Sequence, residues 1–349
     1  MALEITSIPA PVTQWASRWL SKLGGDLPPS WELFRLAGDG STRQFFRLQF
    51  GSESRVVLYD PGWRFTKDYA AHQSFLMERG LPVPKFGEVD PDAGFLIMED
   101  LGDVLAQSRI QGSEKKTWLE RCVRLLAELH GKTFPVPETL PAFGRAFDRE
   151  IYGRELRFTI EHLRVGLLGV NAPADLKPID TFAKSLEKIG PRVFCHRDYH
   201  TRNLLVHDEA LHLIDFQDAR MGPAAYDLCS VLYDAYVPIE TDLREELVEL
   251  YQQELSRFAL SKKIDWPNFR EELRRVAYQR TLKAAGSFAS FFTRYGKKTH
   301  LPYLHPCFDN ILSLQSVAPT LHACFPVEEW LPKIVEWEKR NWDIPSRKP

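Results

Sequence analysis

Residues 195–206, CHRDYHTRNLLV, place His196, Arg197, Asp198, His200, Arg202 and Asn203 between two apolar runs. RVFC precedes the cluster, LLV follows it, and LHLIDFQDA lies just beyond. Short apolar runs bounded this way read as buried strands. A solvated turn between strands needs little more than Gly, Asn or Pro. So dense a set of ionisable groups predicts a loop that carries chemistry.

Asp198 and Asn203 are five residues apart on that loop, and Asp215 stands twelve residues further on, at the end of the next strand. One loop and one strand end can direct three oxygen ligands to a common cleft. Phosphoryl transfer uses such a set, because its transition state is stabilised by positioning and by Mg²⁺ neutralising the developing charge. Mg²⁺ prefers hard oxygen donors and keeps several waters, so one carboxylate and one amide oxygen suffice. The other carboxylate, Asp198, is then placed to orient or deprotonate an attacking hydroxyl. An isolated Asp in such a turn is ordinarily a cap or turn former, and the joint spacing is what moves the reading to chemistry. His196 and His200 are four residues apart, the spacing of zinc ligands on a helix. No Glu follows His196, and what comes next reads as a strand, so His196 is expected to be a hydrogen-bonded structural residue.

The chain has 349 residues, room for about two domains or one two-lobed domain at ~150 residues each. The 45 basic and 47 acidic side chains give a formal charge of −2, which supports neither a nucleic-acid nor a membrane-surface partner. Cys122, Cys195, Cys229, Cys307 and Cys324 are scattered and form no CxxC pair, which argues against a disulfide framework and for a reducing compartment. The opening MALEITSIPAPVTQW lacks a basic start and is broken by Pro9 and Pro11, so no secretory signal is expected. No run approaches the ~18 apolar residues of a membrane span. A cytoplasmic, soluble protein is expected.

Along the chain, Trp15, Trp19 and Leu23 fall at helical spacing within residues 12–24. Strand-like runs follow at 33–38, 44–50 and 54–60, then a helix over 66–79, then two more strands in PKFGEV and GFLIME. From 113 onward the pattern is helical, over 145–164, 175–188, 224–236, 241–259, 267–295 and 307–318. The only strand signals in this half flank the polar cluster.

HRDYHTRN followed by LIDFQDA resembles the paired motifs of the aminoglycoside phosphotransferase and choline kinase superfamily, which shares the protein-kinase-like fold. The resemblance implies Asp198 as catalytic base, Asn203 and Asp215 as Mg²⁺ ligands, His196 as a brace for the loop and Asp227 as its support. AGDGSTRQFFRL (37–48), GLPVPK, FLIMEDLGD, LIDFQDARMGPAAYDLCSVLYDAY and YQRTLKAAGSFASFF are similar, in order and wording, to bacterial N-acetylmuramate/N-acetylglucosamine anomeric kinases. This likeness covers residues 35 to 300, nearly the whole chain. It implies a nucleotide loop containing Gly40, Ser41, Thr42 and Arg43. IMEDLG becomes the hinge, with the backbone of Glu99 and Leu101 facing adenine and Met98 bordering it. The superfamily usually carries a phosphate-holding Lys on the third strand, whereas RVVLYDPG offers Tyr59 or Asp60 there. Arg43 is the candidate replacement and Lys67 a weaker one. Asp100 and Asp103 read as turn and cap residues. Arg280, Lys283 and Arg294 lie on the long helix expected at 267–295, where a substrate carboxylate would find a cation.

The resemblance implies an α+β, two-lobed kinase-like fold. The small antiparallel-sheet lobe spans 1–98, the hinge 99–103 and the helical lobe 104–349, with ATP between the lobes. The expected reaction is ATP- and Mg²⁺-dependent phosphorylation of the anomeric hydroxyl of N-acetylmuramate or N-acetylglucosamine. Nucleotide and sugar are the expected partners, with no nucleic acid or membrane. Two alternatives remain: a kinase for another hydroxyl (aminoglycoside, choline-like or different sugar), and a non-catalytic nucleotide-binding protein of the same fold.

Overall fold

A computed structural model describes residues 8–23, 30–36, 43–62, 66–170 and 175–341. Two compact units emerge, one holding residues up to Val104 together with Leu205–Gln217, the other holding Leu105–Leu204 and the chain from Asp218 onward. The sequence reading placed 205–217 in the larger lobe; here that segment packs with the first unit.

The first unit begins with helix α1 (Ala10–Lys22), then strands β1 (Trp31–Arg35), β2 (Gln44–Phe50) and β3 (Glu53–Tyr59), helix α2 (Thr66–Glu78), and strands β4 (Phe86–Asp90) and β5 (Phe95–Glu99). The strands form one antiparallel sheet in the order β1-β2-β3-β5-β4. This is the expected meander with a helix inserted before its last two strands. Alternation along the strands turns Phe46, Leu48, Phe50, Val57, Phe95 and Ile97 to one face, where they meet Val12, Trp15, Ala16 and Leu20 of α1. Trp15 stacks on Phe95 at 4.9 Å between ring centres, and its indole N–H donates to Asp90 Oδ2 at 3.1 Å. Leu23, expected on the same helical face, follows the last residue of α1 and is exposed.

The second unit contains α3 (Ala106–Arg109), α4 (Lys115–Thr133), α5 (Arg149–Thr159), α6 (Lys177–Leu186) and strand β6 (Arg192–Cys195). Strands β7 (Leu204–His207) and β8 (Ala210–Leu213) form a hairpin that joins the first unit from Leu205 on. Asp208 and Glu209 between them both take positive φ, as a two-residue type I′ turn requires. Val206 N–H donates to Val104 O at 2.7 Å and Leu213 N–H to Pro82 O at 2.8 Å, which ties the hairpin to the first unit. Then come β9 (Arg220–Pro223), α7 (Ala225–Leu232), α8 (Thr241–Leu255), α9 (Trp266–Tyr295), α10 (Leu304–Leu314), α11 (Pro319–His322) and α12 (Val327–Asn341). Strand β9 pairs antiparallel with β6.

Two local features were not expected. After Thr159 the backbone runs as a π-helix over Ile160–Leu167. Helix α12 forms despite the internal Pro332, which reads as a breaker in sequence. All five cysteines are buried and unpaired. No described helix is long and apolar enough to cross a membrane.

Candidate active site

In the second unit, strand β6 delivers the chain into the 196–203 loop, and Asp227 on α7 fixes its start. The buried Asp227 carboxylate accepts the backbone N–H of His196 at 2.6 Å and of Arg197 at 3.0 Å. These bonds hold Arg197 at φ 80°, a left-handed conformation costly for a side chain with a Cβ. On its other side Asp227 lies 3.5 Å from Nε2 of His130, whose Nδ1 pairs with the Tyr251 hydroxyl at 2.7 Å. Asp234 secures the far end of the loop, accepting from the Thr201 N–H at 3.0 Å and its hydroxyl at 2.7 Å. The Tyr199 hydroxyl donates to Cys122 O at 2.9 Å from the loop's middle. His196 is buried edge-on to the Tyr199 ring at 5.8 Å.

With the backbone so held, Asp198 points to α9. Lys283 Nζ donates to its Oδ1 at 2.9 Å, and Arg280 Nη2 lies 3.7 Å from the same oxygen. Burial alone would raise this carboxyl, but Lys283, Arg197 and Arg280 outweigh it and hold it well below the usual carboxylate range. Burial pushes the Lys283 ammonium down, opposed by Asp198. Burial also pushes His200 down to about 3, so this imidazole is neutral near pH 7. Asn203 donates its side-chain amide to Asp198 O at 3.0 Å, which turns its amide oxygen the other way as an acceptor.

Arg294, expected in the same role as Arg280 and Lys283, is not part of this group. It stands 11 residues beyond Lys283, roughly 16 Å along the helix axis, and its guanidinium lies exposed 5.4 Å from the Tyr295 ring. Glu155 of α5 enters instead. It lies 3.8 Å from Arg197 Nη2 and accepts from Gln279 Nε2 at 3.0 Å, while Arg197 Nη1 is 3.4 Å from Asp218. Glu155 Oε1, Gln279 Oε1 and the Tyr226 hydroxyl are buried there without a protein hydrogen-bond partner among the described residues. Sequence offered only a weak signal for these: an acidic and an amide residue on helices otherwise read as core.

In the first unit, Asp215 follows β8 at φ 64°. Its Oδ1 accepts from Gln217 Nε2 at 3.0 Å and lies 3.3 Å from Arg43 Nη1, so the expected nucleotide-loop arginine meets this aspartate. Gly40, Ser41 and Thr42, and the Lys67 side chain, lie outside the described residues. Met98 is buried on β5, opposite Val56 and Phe86. The Glu99 N–H is already given to Lys85 O at 2.8 Å, so a ligand contact from its backbone must use the carbonyl. Leu101 is buried.

Arg47, not singled out in the sequence, ties β2 to the segment after β5. From β2 its Nε and Nη2 reach Asp100 at 2.6 and 3.0 Å, and its Nη1 and Nη2 reach Asp103 at 2.7 and 2.9 Å. Asp100 also accepts the Gly102 N–H at 3.0 Å, the turn role expected of it. Asp103 is an ion-pair partner here, not a cap.

Residues 19–262 match the model of the phosphotransferase enzyme family. The chain belongs to that family. It is 30% identical over 293 residues to an N-acetylmuramate/N-acetylglucosamine kinase of Pseudomonas aeruginosa, covering 79% of this chain and 81% of the relative. It is likewise 30% identical over 289 residues to a kinase of the same name from Neisseria meningitidis, covering 79% and 83%. Among solved structures, the ethanolamine kinase of Plasmodium vivax superposes with a TM-score of 0.60 at 13% identity, covering 91% of this chain and 99% of that one. That likeness bears on the fold alone, and agrees with a kinase-like antiparallel sheet followed by a mostly helical remainder.

Proposed function

We propose that this phosphotransferase moves the γ-phosphoryl group of ATP, with Mg²⁺, to the anomeric hydroxyl of N-acetylmuramate or N-acetylglucosamine. The observation that carries the reading is Asp198, held ionised and aimed at α9 by a loop locked on Asp227 and Asp234. The names and near-full coverage of the bacterial relatives support the sugar. In this reading Asp198 orients the acceptor hydroxyl and takes its proton late in transfer. An anomeric hydroxyl is more acidic than an ordinary alcohol, so a weakly basic carboxylate is adequate. His196 braces the loop. Arg43 and the segment containing Gly40, Ser41 and Thr42 serve the phosphates, with Met98, Glu99 and Leu101 beside adenine.

The amide oxygen of Asn203 and the carboxylate of Asp215 are the hard oxygen donors Mg²⁺ prefers, so the residues fit that ion. Mg²⁺ would neutralise charge on the phosphates. Lys283, Arg280 and Arg197 surround Asp198 with positive charge, which favours an uncharged or anionic acceptor over a polycationic aminoglycoside. The unpartnered polar atoms of Glu155, Gln279 and Tyr226 suit a hydroxyl-rich one.

The test is ADP release with Mg·ATP across N-acetylglucosamine, N-acetylmuramate and their 1-O-methyl glycosides. Turnover with the free sugars and none with the glycosides is expected. Turnover that survives methylation would move the acceptor to another hydroxyl.

A further inference from the structure

The Asp198 carboxylate draws two cations of α9 to one of its oxygens. Lys283 and Arg280 converge on a single oxygen, Oδ1, at 2.9 and 3.7 Å, and Arg197 is close enough to lower the carboxyl further. Arg197 has Glu155 and Asp218 as additional partners. Arg280 gives its Nε to Ser230 at 2.9 Å. Lys283 differs from both: among the described residues its one hydrogen bond goes to Asp198. An ammonium has three N–H donors in three directions, so two stay uncommitted. The side chain is only 14% exposed, and a cation so placed is costly without anionic company. A purely structural ion pair with Asp198 would need one cation, not two on the same oxygen.

Two anions could take the uncommitted Lys283 donors: a carboxylate on the acceptor, or the phosphoryl group in flight. The hydroxyl activated by Asp198 is one bond from phosphorus in the product. A cation touching the same carboxylate is therefore within reach of the phosphoryl oxygens. The lactyl carboxylate of N-acetylmuramate is attached through C3, two ring carbons from the anomeric centre, and N-acetylglucosamine has none. Strand β3, ESRVVLY, has no lysine to add charge to the phosphates.

We propose that Lys283 is a catalytic residue, its ammonium bridging Asp198 Oδ1 and the γ-phosphoryl oxygens during transfer; this rests on the kinase reading above. In the step, the sugar oxygen bonds to phosphorus and the bond from phosphorus to the bridging oxygen of ADP breaks. The hydroxyl proton passes to Asp198 Oδ2. Lys283 keeps its protons and supplies positive charge where negative charge moves, a stabilisation that acts only in the transition state if the ammonium is already in place.

The experiment compares wild type, Lys283→Met and Lys283→Arg, with kcat and KM for both sugars and calorimetric binding of N-acetylglucosamine and of its 1-phosphate. Lys283→Met is expected to lower kcat about 10²–10³-fold on both sugars with little change in sugar KM. It should weaken binding of the 1-phosphate and spare the free sugar, and Lys283→Arg should recover part of both losses. A defect confined to the KM for N-acetylmuramate would overturn the proposal in favour of an acceptor-carboxylate role, and an unchanged kcat would overturn it outright. Lys283→Gln replaces Lys283→Met if the latter does not fold. If wild type phosphorylates neither sugar, the acceptor reading fails by itself. Lys283 is then judged on the slow transfer of phosphate from ATP to water: a fall of similar size supports the role, and an unchanged rate overturns it.

Discussion

A carboxylate that accepts two backbone N–H groups inside a loop cannot be deleted without leaving both unpaired. Asp227 does this for His196 and Arg197, at the point where the backbone is in its least favourable conformation. Asp227→Ala should lower stability by about 1–3 kcal/mol for each orphaned N–H. It should also reduce kcat, because Asp198 is the next residue along; urea unfolding and steady-state kinetics read the two effects. Asp198→Asn keeps the shape of the site and removes its charge. Turnover should fall by orders of magnitude while ATP binding survives, and near-normal turnover would remove Asp198 from the mechanism. The spacing of Asp198 to Asn203 and Asp215 singled it out as the candidate base. Arg280 and Lys283 were candidate cations in the sequence, but their contact with Asp198 was not legible, because they lie more than eighty residues away.

At the scale of elements, two contacts set geometry that no single element could. The first is the Arg47 clamp between β2 and the acids Asp100 and Asp103 after β5. Burial pushes the Asp100 carboxyl up, but Arg47 and the Gly102 N–H pull harder, leaving it below its ordinary value. A carboxylate lowered in the folded state contributes stability in full above the unfolded value, near 3.9, and loses it as pH falls through the folded value. Arg47→Met should therefore cost about 1.5–3 kcal/mol at neutral pH, the range for hydrogen bonds to charged groups. The gap from wild type should close below about pH 4 in chemical denaturation. The exposed Asp103 adds little to that figure. The second contact is Gly286 on α9, where an added Cβ would lie 2.4 Å from Thr159 Oγ1 and 2.7 Å from its Cα. Gly286→Ala must push α9 from the end of α5, at a typical overpacking cost of about 1–3 kcal/mol. Because the same helix carries Arg280 and Lys283, kcat should fall along with the melting temperature; a variant that loses stability but not kcat would show that α9 adjusts locally.

At the scale of the whole molecule, Asp198 and Asn203 belong to one compact unit, and Asp215 and Arg43 to the other. Ligand binding to the native state raises apparent stability by mass action, about 2.7 kcal/mol at a hundred times Kd. Mg·ATP should thus raise the melting temperature of wild type and of Asp198→Asn alike. Asp215→Asn should lose most of that shift, Arg43→Ala part of it, and EDTA should abolish it in every variant. An undiminished shift in Asp215→Asn would remove Asp215 from nucleotide and metal binding.

The sequence by itself determined the order of elements, the antiparallel meander with its inserted helix and the helical character of the remainder. Hydrophobic period and turn chemistry are local properties, and these elements are long enough to express them. The candidate loop residues were equally visible, since Asp198, Asn203 and Asp215 are close in sequence and their residue types are demanding. Tertiary structure alone decided that the 205–217 hairpin packs with the first unit, that Arg47 grips Asp100 and Asp103, and that Lys283 rather than Arg294 reaches Asp198. Each of these depends on which distant surfaces meet, and a pairing energy between remote side chains leaves no periodic trace along the chain.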